Sequence, residues 1–448
     1  MYFIYSLLLG LGFLLLLPRF LLDAVTHGKY VAGLGQRMGN VPSIRNGERA
    51  VIWVHCVSVG ETQAARPLVA ALKARLPQCA IVISTTTVTG QTLARDLFSG
   101  VAAAVLYFPF DWRWAVRKTL RCINPSVVLL METEIWPSFL RECAEQGIPV
   151  AIVNGRLSEQ SSRRYRLIKG FMSRTLRLIR LALMQTEADK QRLLSLGMDP
   201  AKTFVSGSLK FDVSAPSSNN EVAADLSNRF AMHDSLLIVA ASTHAPEEQI
   251  VLDTFRRLAS EWSTLRLIIV PRHPERFDEV ERLIEASGFP SARRTSPPSA
   301  EDQKAEVVLL DTIGELQSIY SLATVVFVGG SISNTGGHNV LEPAAVGACI
   351  VTGAHTFNFQ SIVESFVDGD ALIQLPPLND ANAATELANT ISDLLSKPEK
   401  RHQLGERARK IVVENRGATE RTIEFLSAIL PADAKALTNT SFAPTHHQ

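Results

Sequence analysis

The chain has 448 residues, 46% hydrophobic and 20% charged, which excludes a disordered or low-complexity protein for nearly its whole length and leaves room for two large domains or three smaller ones. Net charge is only +1, but 25 Lys and Arg stand against 13 Asp and Glu through Ser208, and 20 stand against 31 beyond it. A basic first half with no aromatic interleaving and no nucleic-acid motif gives no reason to expect DNA or RNA, and suits an anionic surface or substrate, an anionic lipid among them.

Tyr2 to Leu17 is sixteen residues without a charge, and the apolar character resumes after Arg19. The length is borderline for a span, so the segment either crosses a bilayer or lies in its interface, with a buried first helix as the alternative. Lys29, Arg37, Arg45 and Arg49 follow it, which places the body of the chain in the cytoplasm by the positive-inside rule. Five cysteines, an odd number without CxxC spacing, predict reduced structural thiols and no zinc site of the usual kind.

From Ala50 short β-rich apolar runs alternate with helical patterns, the signature of parallel sheets wrapped by helices. Strands are predicted at 51–55, 80–84, 103–107, 127–131, 150–153 and 181–184. A second series follows a Ser/Asn-rich stretch, at 236–241, 265–270, 307–310, 324–328 and 349–352. The predicted fold is α/β, with two Rossmann-like doubly wound domains joined near 210–220 and ligands expected in the cleft between them. The expected division is an anchor over 1–22, a first domain over 23–212, a second over 213–434 closed by helices from 381 to 429, and a flexible tail over 435–448.

Val57-Ser-Val-Gly-Glu-Thr62 follows the first strand. Gly60 is expected to serve a tight turn, and Glu61 is placed either as a general base for an acceptor hydroxyl or as a complement to the helix dipole. Thr85-Thr-Thr-Val-Thr-Gly90 sits after the second strand, where its threonines suit helix capping. Met131-Glu-Thr-Glu-Ile-Trp136 follows the fourth. Glu132 and Glu134 there must be hydrogen-bonded or used, because carboxylates at the end of a buried strand are costly otherwise. Arg156, in Asn154-Gly-Arg156, suits an anionic sugar or phosphate, or an ion pair with one of those glutamates. Arg163, Arg164, Arg166, Lys169, Arg174, Arg177 and Arg180 are read as one long helix, either a membrane-facing surface or a solvated face.

In the second half Ser242, in Ala241-Ser-Thr-His244, precedes a helix whose first turn holds Glu247 and Glu248, and its amides and hydroxyls are expected to meet phosphate oxygens. Pro271-Arg-His-Pro-Glu-Arg276 offers Arg272 and His273 as cations. Gly329, Gly330, Gly336 and Gly337 are read as clearing space for phosphate, with Asn339 opening a helix and Glu342 reaching ribose hydroxyls. The loop is neither a Walker A motif nor GxGxxG. Asp368-Gly-Asp370 is read as a turn. With no second acidic cluster near the phosphate loop, amides, Arg272 and Lys210 are expected to stabilise the leaving phosphate without a metal ion and without a cofactor.

Taken with the membrane-proximal start, Ser-Val-Gly-Glu61, Met-Glu-Thr-Glu-Ile-Trp-Pro137, Asn-Gly-Arg-Leu-Ser158, Gly-Ser-Leu-Lys-Phe-Asp212, Pro-Arg-His-Pro-Glu-Arg276 and Gly-Gly-His-Asn-Val-Leu-Glu-Pro343 resemble the 3-deoxy-D-manno-octulosonic acid (Kdo) transferases of Gram-negative bacteria, in order and spacing over nearly the whole chain. The resemblance implies a GT-B fold, an inverting transfer from CMP-Kdo to a lipid A precursor, and a place at the cytoplasmic face of the inner membrane among anionic lipids. It implies that Glu61 is the catalytic base, and that Arg272, His273, Asn339 and Glu342 contact CMP. Pro246 departs from the family pattern, where a glycine is expected. Other nucleotide-sugar transferases, sugar epimerases and a non-catalytic membrane scaffold are the alternatives.

Overall fold

The structure is a computed structural model that describes residues 2, 5–7, 9–13, 15, 33–44, 50–212, 220–379 and 381–430. It divides into two compact units. Unit 1 runs through Asp212 and resumes at Arg416, and unit 2 is Val213–Asn415.

Unit 1 holds seven parallel strands: β1 (Val51–Cys56), β2 (Ala80–Thr85), β3 (Ala104–Tyr107), β4 (Val127–Met131), β5 (Val150–Gly155), β6 (Leu181–Met184) and β7 (Thr203–Val205). Their order is β3-β2-β1-β4-β5-β6-β7. Every residue of β1, β2, β4, β5 and β6 is buried, which is why these strands read as unbroken apolar runs: helices cover both faces. Unit 2 repeats the plan with β8 (Leu236–Thr243), β9 (Leu265–Pro271), β10 (Ser291–Arg293), β11 (Val307–Leu309), β12 (Val325–Val328), β13 (Ile350–Thr352) and β14 (Ile373–Gln374), in the order β10-β11-β9-β8-β12-β13-β14. These are two Rossmann-like sheets of the GT-B type. In each the strand order reverses beside the first strand, between β1 and β4 and between β8 and β12. The loops after those strands therefore part and leave the strand ends open.

The chain's last described helix departs from expectation. Helices Ala383–Ser396 and Pro398–Asn415 do close unit 2, but the helix Ala418–Leu426 belongs to unit 1, so the second domain ends at Asn415 rather than at 434. Its Ala418, Ile423 and Leu426 enter the core formed by Ile52, Leu68 and Leu183. Asp212 fixes its start, accepting the Gly417 N–H on Oδ1 at 2.7 Å and the Thr419 N–H on Oδ2 at 2.5 Å. An apolar helical stripe does not say which core it will enter, so the sequence pattern assigned this helix to its chain neighbours.

The basic stretch is also not one helix. It folds as Glu159–Arg166 and Lys169–Leu176, broken at Leu167 and Ile168, which are 87% and 50% exposed, and Arg177 and Arg180 lie beyond the second piece. Asp368-Gly-Asp370 does form a turn at the end of the helix Gln360–Asp368, where Asp370 pairs with Arg407 at 2.8 Å. Of the N-terminal segment, residues 5–7 and 9–13 are helical. Tyr5 donates its hydroxyl to Asp111 at 2.8 Å, and Phe13 packs edge-on against Trp112, while Leu7, Leu11 and Leu15 are exposed. Among the described residues no helix is long and apolar enough to cross a membrane. Residues 16–22 of the expected anchor, Lys29, Arg45, Arg49, the 213–219 joint and the tail lie outside the described residues.

Because both Asp212 oxygens accept a backbone N–H, Asp212→Ala leaves two helix-terminal donors unmet. It should lower the unfolding free energy by about 1–3 kcal/mol, with Asp212→Asn in between; urea denaturation of both variants measures this.

Candidate active site

In unit 1 the loop after β1 turns into the helix Val59–Arg75. Ser58 caps that helix: the Glu61 N–H donates to Ser58 Oγ at 3.4 Å, and Ser58 Oγ donates back to Glu61 Oε1 at 3.1 Å. The Val57 N–H donates to Glu61 Oε2 at 2.8 Å. Glu61 thus closes a capping arrangement while standing at the switch point of the sheet. Gly60 takes an ordinary helical place rather than a tight turn. A Cβ there would meet nothing nearer than Ser58 Oγ at 3.9 Å, so the position does not demand a glycine.

Burial pushes the Glu61 carboxyl up to about 8, and the charges of Glu132 and then Glu134 add to the rise against the Val57 and Ser58 hydrogen bonds. Glu134 is itself raised, by burial and then by Glu132. The turn after β4 brings these carboxylates round. Glu132 adopts a left-handed φ of 55°, a conformation uncommon outside glycine, and its N–H is held by the Val153 carbonyl at 2.9 Å. Lys210 Nζ lies 4.0 Å from Glu132. Lys210 is placed by Asn154, whose Oδ1 accepts the Leu209 N–H at 3.0 Å. It therefore answers the acidic cluster of unit 1, where the sequence reading had set it against the leaving phosphate. Thr133 Oγ1 donates to the Arg156 carbonyl at 2.6 Å, which holds Arg156 to the same rim; among the described residues Arg156 makes no ion pair. Thr87 caps the next helix through the Gly90 N–H at 3.0 Å, the capping role expected of those threonines.

In unit 2 the end of β8 and the loops after β9 and β12 carry the other predicted residues. Ser242 is held at a φ of 54°, and the Arg272 N–H donates to the Thr243 carbonyl at 3.0 Å. Arg272 and His273 are exposed. Asn339 Nδ2 donates to Glu342 Oε1 at 3.0 Å; burial raises the Glu342 carboxyl, while Asn339 and Arg272 favour its charge. His244 and His338 stack with ring centroids 5.0 Å apart and their Nε2 atoms 2.8 Å apart, so one ring donates and the other accepts. Burial, then Arg272 and the two neighbouring histidines, push His338 down to about 3 and keep it neutral.

The glycine loop differs from the sequence reading. Glu247 is fully buried, and its carboxylate accepts the N–H of Gly330 at 2.7 Å, Ser331 at 2.9 Å, Ile332 at 2.8 Å, Ser333 at 3.1 Å and His244 at 3.1 Å. The Gly329 N–H goes to the Ala241 carbonyl at 2.8 Å. A Cβ on Gly329 would stand 2.9 Å from Glu247 Oε2 and 2.8 Å from the Ser242 carbonyl oxygen. Gly329 is therefore required by the close Ser242–Thr243 backbone and the Glu247 carboxylate, and Gly330 by its left-handed φ of 68° and the side chains of Thr335 and His338; their amides are taken by the Ala241 carbonyl and by Glu247 and do not face a phosphate. Glu248 is buried too, accepting two bonds from Arg276 at 2.6 and 3.2 Å. A first-turn Glu pair normally lies on a helix surface, so nothing local distinguishes these two.

With this geometry in hand, the family model for 3-deoxy-D-manno-octulosonic-acid transferase matches residues 32–213, and the model for group 1 glycosyl transferases matches 299–411. The chain is 32% identical over 409 residues to a 3-deoxy-D-manno-octulosonic acid transferase of Haemophilus influenzae, covering 91% of this chain and 93% of that protein. It belongs to the Kdo transferase family. A second member, from Bordetella pertussis, is 35% identical over 84% of this chain and 87% of its own length. This Kdo transferase is thus a glycosyltransferase of lipopolysaccharide biosynthesis. Its fold is also shared with the UDP-GlcNAc 2-epimerase of Neisseria meningitidis, at a TM-score of 0.55 and 14% identity over 84% of this chain and 99% of that one.

The acidic cluster of the Kdo transferase makes its own test. Glu132→Gln removes a neighbouring negative charge, so the Glu61 titration midpoint should fall below its value near 8, as read by carboxyl-carbon NMR; an unchanged midpoint would show that Glu132 does not act on Glu61.

Proposed function

We propose that this chain transfers Kdo from CMP-Kdo to a lipid A precursor with inversion, and that Glu61 is the general base. The observation that carries the reading is the state of Glu61: a carboxylate at the head of a helix beside the switch point, accepting from the Val57 N–H and the Ser58 hydroxyl and raised to about 8. A base of that strength is well matched to a sugar hydroxyl near neutral pH. The Glu61 carboxylate takes the hydroxyl proton as the acceptor oxygen bonds to the anomeric carbon. The bond from that carbon to the phosphate oxygen breaks, and its electron pair leaves with CMP.

Unit 2 holds the donor in this proposal. Arg272 faces the phosphate, His273 lies beside it, Asn339 orients Glu342 toward ribose hydroxyls, and Ser242, Gly336 and Gly337 line the approach. The charge leaving on CMP is met by Arg272 and backbone amides, without a resident metal or cofactor. Glu132, Glu134, Lys210 and Arg156 serve the acceptor side. The proposed place of action is the cytoplasmic face of the inner membrane. The basic first half, the exposed Leu167 and Ile168 between Arg166 and Lys169, and the exposed Leu7, Leu11 and Leu15 support contact with anionic lipid.

Glu61→Ala should abolish transfer while leaving CMP affinity unchanged. In the unaltered protein the rate should climb as pH rises toward 8, because the base form appears only as the proton leaves, and EDTA should not alter it. Mass spectrometry of the lipid product and calorimetry with CMP measure these; near-normal transfer by the variant removes Glu61 from the role. Charge reversal at Arg163, Arg164 and Arg166 should weaken binding to anionic vesicles in a salt-dependent way, and unchanged sedimentation with vesicles would remove that surface from the membrane contact.

A further inference from the structure

Four consecutive backbone N–H groups, from Gly330 to Ser333, point at one place in unit 2. A concavity of this kind beside a parallel sheet's switch point is where α/β proteins hold a phosphate. Here the place is already filled. Glu247 enters it from the helix Glu247–Ala259, with Oε1 accepting from Ser331, Ile332 and Ser333 and Oε2 accepting from Gly330 and His244. The loop is built around this tenant: Ser331 Oγ donates to the Val328 carbonyl at 2.6 Å and accepts the Gly353 N–H at 2.8 Å, and the Gly337 N–H closes on the Gly330 carbonyl at 2.6 Å. Gly329 is kept bare by the Ser242–Thr243 backbone together with the same carboxylate.

We infer that Glu247 is a specificity-determining residue, whose carboxylate occupies the anion nest a second phosphate would need, so that the donor site takes a nucleoside monophosphate and rejects a nucleoside diphosphate. The inference rests on the donor assignment above. A monophosphate-linked donor needs one phosphate site, which Arg272 and the rim after β9 supply. A second phosphate extending toward the loop after β12 meets the Glu247 carboxylate, whose charge the surrounding N–H groups favour against burial, and amides that already have an acceptor. Both the missing donors and the like charge disfavour it.

Isothermal calorimetry with CMP and CDP on the full-length protein and its Glu247→Ala and Glu247→Gln variants tests this, with thermal unfolding used to establish that each variant is folded. The unaltered protein should bind CMP at least about tenfold more tightly than CDP, and the ratio should shrink severalfold in Glu247→Ala, whose vacated nest accepts the second phosphate. Glu247→Gln, similar in size but uncharged, should narrow the ratio less. A merely structural role would weaken both ligands together and leave the ratio alone; that result in a folded variant overturns the inference. If neither variant folds, the unaltered protein decides: a ratio near one overturns the inference and a ratio of about ten or more supports it. Failure of the unaltered protein to bind CMP at all would instead remove the donor assignment, and this inference with it.

Discussion

A carboxylate taken out of water must either find donors or take up a proton, and the two sheets meet that constraint differently at the same place. In each unit the chain leaves the first strand, β1 or β8, and starts a helix whose first turn buries a glutamate, Glu61 or Glu247. Glu247 receives five backbone N–H groups, and its position shapes the whole loop after β12. Glu61 receives one backbone N–H and one hydroxyl, and two further carboxylates press on it. Burial raises the Glu247 carboxyl as well, but the surrounding backbone N–H groups oppose the rise and favour its charge. Glu61, with fewer donors and two carboxylates beside it, is raised to about 8.

The same contrast accounts for the different character of the two rims. Around Glu61 like charges crowd: Glu132 and Glu134 both raise its carboxyl, and Lys210 lies 4.0 Å from Glu132. Left-handed backbone at Glu132 and Asn154 holds the ends of β4 and β5 in the turns that make this crowding. Around Glu247 the carboxylate oxygens are met by backbone N–H groups, and Arg272 and His273 are left outward on the loop after β9. The His244 and His338 rings also join the loop after β8 to the loop after β12, their Nε2 atoms 2.8 Å apart, with burial keeping His338 neutral.

Most of the sheet architecture could be read without coordinates. The runs at 51–55, 80–84 and 127–131 are buried on both faces, so continuous β-branched and apolar residues marked them with hardly an error in their limits. β7, β10 and β14 escaped because, unlike the equally short β11 and β13, they are not buried throughout and carry no unbroken apolar run to detect. Glu61, Glu132, Arg272 and Glu342 were legible for a related reason. Each sits directly after a strand or glycine-rich loop, where a polar residue has no local task that a cap or turn fully explains. Asp111 was not legible: it caps the helix Pro137–Glu145 through the Ser138 and Phe139 N–H groups from a loop 27 residues away.

By itself the amino-acid order determined the class of fold, the two-sheet plan, the family and the residues at the rims, because strand burial and loop position leave a local trace. Only the tertiary structure decided which groups share a charge and which donors are already taken. Glu247 looks like any first-turn glutamate until the loop after β12, more than 80 residues on, folds over it. The helix Ala418–Leu426 looks like the close of unit 2 until Asp212 claims its first turn for unit 1. Hydrogen bonds and electrostatic coupling act across space within a few ångströms, and sequence distance carries no record of that closeness.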